Sequence, residues 1–334
     1  MNENITVNNM AIAVVIPSYR VTAHILDVIS KVGPEVSVIY VVDDCCPDGS
    51  GKFVETQCID PRVEVLYNAI NLGVGGAVMH GYQQAVSDGV DIIVKVDGDG
   101  QMDPQLIPLF VDPIINGQAD YTKGNRFFNL EEIKSMPTVR LIGNSVLSLM
   151  TKISSGYWDI FDPTNGFTAL HVQVASNLPL SKISSRYFFE TDMLYQLNLL
   201  KAVVVDVPMH AVYGDEVSNL RISKIVGEFL YKHARNFVKR LFYNYCLRDV
   251  SLASIELPVG IMLMLFGIIY GGFHWVTSVR IGIPTTAGTV MIAALPILTG
   301  LQLILSFLAY DIATIPRRPI HLGFRILKSI KAPK

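Results

Sequence analysis

The sequence predicts an α/β domain built on a parallel sheet, followed by an amphipathic helical segment and a two-helix membrane hairpin. Three observations carry this reading. Short β-branched runs alternate with helical patterns between residues 11 and 97. Two later stretches, Leu257–Val276 and Ala287–Tyr310, contain no formal charge. Bases gather on the outer flanks of those stretches, and the loop between them holds Arg280 alone.

The strands come first. Ala11–Ile16 (AIAVVI), Val36–Asp44 (VSVIYVVDD), Val63–Asn68 (VEVLYN) and Asp91–Asp97 (DIIVKVD) are β-branched runs. Helical patterns separate them at Thr22–Val32, near Gly51–Thr56 and at Gly75–Gly89. Such alternation indicates a parallel sheet with helices on both faces. Ligands of these sheets bind outside the carboxyl ends of the strands. Here those ends read PSYR, DDCCPDGSG, NAINLGVGG and DGDGQMDP. Each alone is ordinary turn and helix-cap chemistry. Together on one edge they point to a nucleotide-type site. The last is the most demanding: Asp97, Asp99 and Asp103 repel one another and require a cation or a cationic partner.

Phosphate motifs of other folds fail the test. GVGGAV (Gly73–Val78) lacks the third glycine of a dinucleotide fingerprint and follows the third strand, and no G-x-x-x-x-G-K-[ST] run occurs.

The two charge-free stretches are each long enough to cross a hydrocarbon core as helix, the alternative being buried core helices. Arg221, Lys224, Lys232, Arg235, Lys239, Arg240 and Arg248 precede the first; Arg317, Arg318, Arg325, Lys328, Lys331 and Lys334 follow the second. The positive-inside rule then puts both termini in the cytoplasm. Ile222–Leu247 spaces Ile225, Phe229, Phe237, Leu241 and Tyr245 at helical steps among bases. It reads as helix lying in the headgroup layer, or as amphipathic helix packed on the soluble domain. A net charge of −2 argues against nucleic acid as a partner. Cys45, Cys46, Cys58 and Cys246 have no zinc spacing, and the adjacent pair favours a reducing compartment. The polar N-terminus MNENITVNNM predicts no cleaved signal peptide.

Taken in order, VVIPSYR, VVDDCCPDGSG, NLGVGGAVMHGYQQA, VKVDGDGQMDP, KGNRF and DPTNGF (Asp162–Phe167), with the hairpin, resemble the family 2 glycosyltransferases of GT-A fold. Within them the chain is similar to the polyprenyl-phosphate sugar transferases over roughly residues 11 to 310. The resemblance implies a doubly wound mixed sheet. It implies a cytosolic GT-A domain (1–220), amphipathic interface helices (221–254), a transmembrane hairpin (255–312) and a basic cytosolic tail (313–334). The protein would sit in the inner (plasma) membrane with two spans, catalytic domain in the cytoplasm, as a homo-oligomer.

The resemblance also implies roles. Asp97, Asp99 and Gln101 match the metal motif, hard oxygen ligands suited to Mg²⁺ or Mn²⁺ on a nucleotide diphosphate. Asp103 before Pro104 reads as a helix cap. Pro17, Ser18, Tyr19, Asp43, Asp44 and Asp97 match the nucleotide site, and Asn71, Gly73 and Gly76 would let backbone approach base and ribose. Arg126 and Arg140, with Lys123 nearby, match the residues that clamp the lipid phosphate. Asn144 stands where the family has a small hydroxyl. A phosphate monoester is already ionised, so attack on the sugar C1 needs no strong base. Asp162, Glu190 and the metal-motif Asp99 are the candidate catalytic carboxylates, and Asp192 shares the acidic pair of RYFFETDML with Glu190.

The function expected is transfer of one hexose from a nucleotide-diphosphate sugar, UDP-sugar ahead of GDP-mannose, to polyprenyl (undecaprenyl) phosphate. A processive polysaccharide synthase would carry Q-x-x-R-W, and neither Trp158 nor Trp275 sits in one. A scaffold without catalysis would have no reason to keep Asp97, Asp99 and Gln101.

Overall fold

A computed structural model describes residues 10–128, 138–210 and 222–324. The chain forms two compact units, residues 1–237 with 316–334, and residues 238–315.

The first unit is built on seven strands in the order β3-β2-β1-β4-β6-β5-β7. Its first half is parallel, as the alternation predicts: β1 (Ile12–Ser18), β2 (Val38–Asp43), β3 (Val63–Tyr67) and β4 (Ile92–Lys95). Ile12 to Ile16 are fully buried, the pattern of a strand covered on both faces. The crossover helices are α1 (Ile25–Ser30), α2 (Ser50–Gln57) and α3 (Val74–Asp88). Helix α3 lies close on the sheet, since a Cβ on Gly81 would fall 2.4 Å from Val15 Cγ1.

The second half departs from simple alternation. After α4 (Ile107–Ile115), β5 (Tyr121–Asn125) and α5 (Thr138–Ser155), strand β6 (Thr168–His171) inserts antiparallel between β4 and β5. Helix α6 (Phe189–Leu200) leads to β7 (Val204–Pro208), which pairs parallel with β5. The sheet is therefore mixed. Because β6 runs backwards, the chain enters it at the edge where β4 and β5 leave.

Helix α7 (Ile222–Phe242) settles part of the earlier choice. Phe229 and His233 stack edge-on against Phe188 at 5.2 and 5.0 Å, His233 Nδ1 lies 2.8 Å from Ser154 Oγ, and Asn236 donates to Asp192 at 2.9 Å. Phe229 thus packs on the protein, as in the alternative of an amphipathic helix on the soluble domain. Val226, Leu230, Val238 and Phe242 are among the exposed apolar residues of the helix.

In the second unit, α8 (Ala253–Ile281) and α9 (Ala287–Ala313) extend the expected spans at their ends, and both are long and apolar enough to cross a membrane. They approach through glycines: a Cβ on Gly267 would fall 2.6 Å from the Ala293 carbonyl. Arg240 forks onto Asp311 at 2.6 and 3.0 Å, and Tyr245, also predicted for a lipid face, is buried and donates to the same carboxylate at 2.6 Å.

Part of the segment read as a basic cytosolic tail is docked on the first unit. Ile320 and His321 donate backbone N–H groups to Asp120, and the His321 ring stacks on His171 at 4.3 Å.

Candidate active site

Strand directions assemble the site. β1, β2, β3 and β4 end on one edge, register pairing Ser18 with Asp43, Asp43 with Tyr67, and Val15 with Lys95. The antiparallel β6 pairs Thr168 with both Lys95 and Lys123. Three motifs far apart in sequence therefore meet there: DGDGQ after β4, Asn125–Arg126 after β5, and DPTNGF before β6.

Asp43 and Asp44 are buried and hold loops together. Asp43 accepts the N–H of Cys46 at 2.7 Å and of Gly51 at 2.6 Å. Asp44 accepts from Asn68 Nδ2, Leu72 N and Gly73 N at 2.7 to 2.9 Å, and Asn71 donates to its carbonyl. Pro17 and Ser18 close β1; Ser18 is buried and Tyr19 exposed. At Gly73 and Gly76 the backbone lies close to other protein atoms. A Cβ on Gly73, at φ +86°, would lie 2.8 Å from the Ser185 carbonyl, and one on Gly76 would lie 2.4 Å from Leu72 Cβ.

In the acidic loop, Asp103 accepts from Gln105 N and caps the turn at Pro104, as expected. Asp99 Oδ1 accepts from Gln101 N at 3.0 Å. Asp97 is paired with an ammonium from its own strand: Lys95 Nζ lies 2.6 Å from Asp97 Oδ1. Among the described residues no group of three His, Cys, Asp or Glu side chains could hold a metal by itself. Two carboxylates and an amide suit an ion that keeps water and takes its remaining ligands from phosphate. On donor chemistry Asp97, Asp99 and Gln101 fit Mg²⁺ or Mn²⁺.

Arg126 and Asp162 are partners. The guanidinium forks onto the carboxylate, Nε to Oδ2 and Nη2 to Oδ1, both at 2.8 Å. Asn165 Nδ2 adds a bond to Oδ2 at 3.2 Å. Burial alone would raise the Asp162 carboxyl, but the Arg126 guanidinium outweighs it and holds it below the usual carboxylate range. That is an anchor and a poor base. Asp162 has φ +50°, which turns its carbonyl onto Lys123. Lys123 is buried, donates to the carbonyls of Phe161 and Asp162 at 2.6 Å and of Gly124 at 3.1 Å, and lies 3.5 Å from Asp206. Its assignment to the lipid phosphate is corrected: its donors are used beneath the DPTNGF loop, and burial lowers its pKa. Asn144 lies on α5 one turn after Arg140, whose side chain is outside the described residues.

The acidic pair on α6 divides. Asp192 is buried and accepts from Ser184 N, Ser184 Oγ and Asn236. For Glu190, burial pushes the carboxyl up to about 8, the nearby Lys95 opposing and Asp97 adding.

Lys95, Asn165 and Asp206 escaped the sequence reading. Lys95 and Asp206 sit in β-branched runs, where one charge looks like the solvent face of a strand. The antiparallel β6 brings Lys95 to the loops, and β7 beside β5 brings Asp206 to Lys123.

Residues 13–178 match the model described as glycosyl transferase family 2. The chain is 29% identical over 223 residues to an undecaprenyl-phosphate mannosyltransferase of Micrococcus luteus, covering 66% of this chain and 90% of that one. It is 28% identical to a UDP-N-acetylglucosamine–dolichyl-phosphate N-acetylglucosaminyltransferase of Methanococcus voltae, covering 61% and 86%. Its fold is similar to glucosyl-3-phosphoglycerate synthase of Mycobacterium tuberculosis solved with Mn²⁺, UDP-glucose and phosphoglyceric acid, with a TM-score of 0.52, 16% identity and coverage of 72% and 85%. Motif order, mixed sheet and family match agree: residues 13–178 form a glycosyl transferase family 2 domain, and the chain is a glycosyltransferase.

Proposed function

We propose that the protein transfers a single hexose from a nucleotide-diphosphate sugar to polyprenyl phosphate, with a divalent ion, at the cytosolic face of the membrane its hairpin spans. The observation that carries it is the meeting on one sheet edge of the DGDGQ carboxylates with Arg126 and the DPTNGF loop. The acidic side suits a donor diphosphate held through an ion; the arginine side suits an acceptor phosphate.

In the mechanism the loops after β1, β2 and β3 bind the nucleoside, with Asp43 and Asp44 keeping them in shape. Asp97, Asp99 and Gln101 would hold the ion, which supplies Lewis-acid neutralisation of the departing diphosphate. Arg126, joined by Arg140 and Asn144, orients the acceptor so that a phosphate oxygen attacks C1 opposite the leaving group, inverting the anomeric centre. Asp162 holds Arg126 in place, and Glu190 shapes the field beneath the donor. UDP-sugar is the preferred donor. GDP-mannose is the alternative, since relatives are named for both mannosyl and N-acetylglucosaminyl transfer.

The test incubates the full chain in detergent with radiolabelled UDP-glucose, UDP-N-acetylglucosamine or GDP-mannose, undecaprenyl phosphate and Mg²⁺ or Mn²⁺. A lipid-extractable monosaccharide, lost in EDTA and on Asp99→Asn, is expected. A polymer, or no product with any donor, would overturn the reading.

A further inference from the structure

Lys95 is the last residue of β4 and among the most buried lysines of the described residues. Three elements enclose its ammonium. Asp97 Oδ1 lies 2.6 Å away, the Phe189 ring centre lies 5.3 Å away, and Gly166 closes the third side. A Cβ on Gly166 would sit 2.2 Å from Lys95 Nζ and 2.5 Å from Asp97 Oδ2. Glycine is thus required for lysine and aspartate to meet beneath this loop. The Asp97 backbone is fixed too, its N–H directed at Met102 Sδ at 3.4 Å. Of the pair, the Asp97 side chain keeps 25% exposure and Lys95 only 2%.

We propose that Lys95 is a positioning residue that takes one oxygen of Asp97, so that the site holds a divalent ion weakly until a donor diphosphate adds its own oxygens. The argument rests on the donor reading above. A carboxylate whose Oδ1 is committed to an ammonium offers an arriving ion a single oxygen. A fixed positive charge beside that oxygen also repels the ion. The diphosphate reverses both effects, supplying oxygens and negative charge. The chain thereby carries the cation that makes its acidic loop tolerable before metal or substrate binds, and ion and nucleotide arrive as a coupled pair.

The experiment measures Mn²⁺ binding to the detergent-solubilised full chain by the loss of the free-ion paramagnetic resonance signal, alone and with UDP or GDP. The wild-type protein should bind Mn²⁺ alone at least roughly ten-fold more weakly than with a bound nucleoside diphosphate. In Lys95→Met, which keeps length without charge, Mn²⁺ alone should bind roughly ten-fold more tightly than in the wild type, so that the nucleotide enhances it less. Lys95→Arg should stay near wild type in metal affinity because the charge remains. Transfer by Lys95→Met should fall in kcat more than in donor KM, since Asp97 is freed from its orientation. If wild-type protein binds Mn²⁺ equally with and without nucleotide, the inference is overturned, whether or not Lys95→Met folds. It is equally overturned if folded Lys95→Met has wild-type Mn²⁺ affinity. Failure of both nucleotides to bind wild-type protein would overturn the donor reading and this inference with it.

Discussion

At the scale of single residues, a few charged groups do most of the site's organising by pairing. Arg126 and Asp162 were legible separately, each from its own motif. Their ion pair was not, because it joins residues 36 apart through a strand that runs backwards. Asp162 is only 3% exposed and its salt bridge is forked, so removing the arginine strands a buried carboxylate. Arg126→Ala is expected to cost about 3 kcal/mol of stability, and Arg126→Ala/Asp162→Asn to recover part of it, because the charge is then gone. Thermal unfolding of the two variants checks this; equal losses would remove the pair's importance. The pH dependence follows from the sign of the shift. Asp162 is depressed in the folded state, so its contribution is complete above the unfolded carboxylate value of about 4 and is lost as pH falls through the lower folded value.

At the scale of elements, the parallel half of the sheet was readable because each strand is a contiguous β-branched run followed by its own crossover helix. β6 and β7 are short runs of four and five residues, Thr168–His171 and Val204–Pro208. Nothing local in such short runs encodes which neighbour each will take. α7 was legible as an amphipathic helix, but not the direction of its faces, because Phe229 and Val226 are equally apolar. The deciding residue is His233, which a helical-wheel reading treats as polar. It is buried against Phe188 and beside Ser154, and burial lowers its pKa from 6.5 to about 4. The folded state therefore binds this proton later than the unfolded chain as pH falls. Stability should decline from about pH 6.5 to about pH 4 by up to about 3 kcal/mol, and be flat with respect to this group outside that window. His233→Phe should remove that slope while keeping the aromatic contact. A wild-type slope in the variant would show that other groups carry the acid sensitivity.

At the scale of the whole molecule, the hairpin interrupts a single compact unit. Residues up to 237 and from 316 onward belong to the same body, so the chain leaves it and must come back to it. The returning segment is fastened at one point. Asp120 is fully buried and accepts from Val203 N at 2.8 Å, Ile320 N at 2.9 Å and His321 N at 3.0 Å, with His321 Nδ1 at 2.7 Å. Three of these four contacts come from the far side of the hairpin. Composition could not show this, since residues after 313 read as a basic tail whose only evident signal is charge. Truncation after Ile315 should therefore destabilise the catalytic unit even though it removes none of the motif residues. The expected loss is on the order of 3 kcal/mol, because a buried carboxylate keeps one donor where it had four. Asp120→Asn should cost stability in the full chain, where the acceptor is used, and far less in the truncated one. Limited proteolysis and thermal unfolding of the four proteins give the cycle. Equal effects of Asp120→Asn in both backgrounds would show that the segment and the carboxylate stabilise the unit independently.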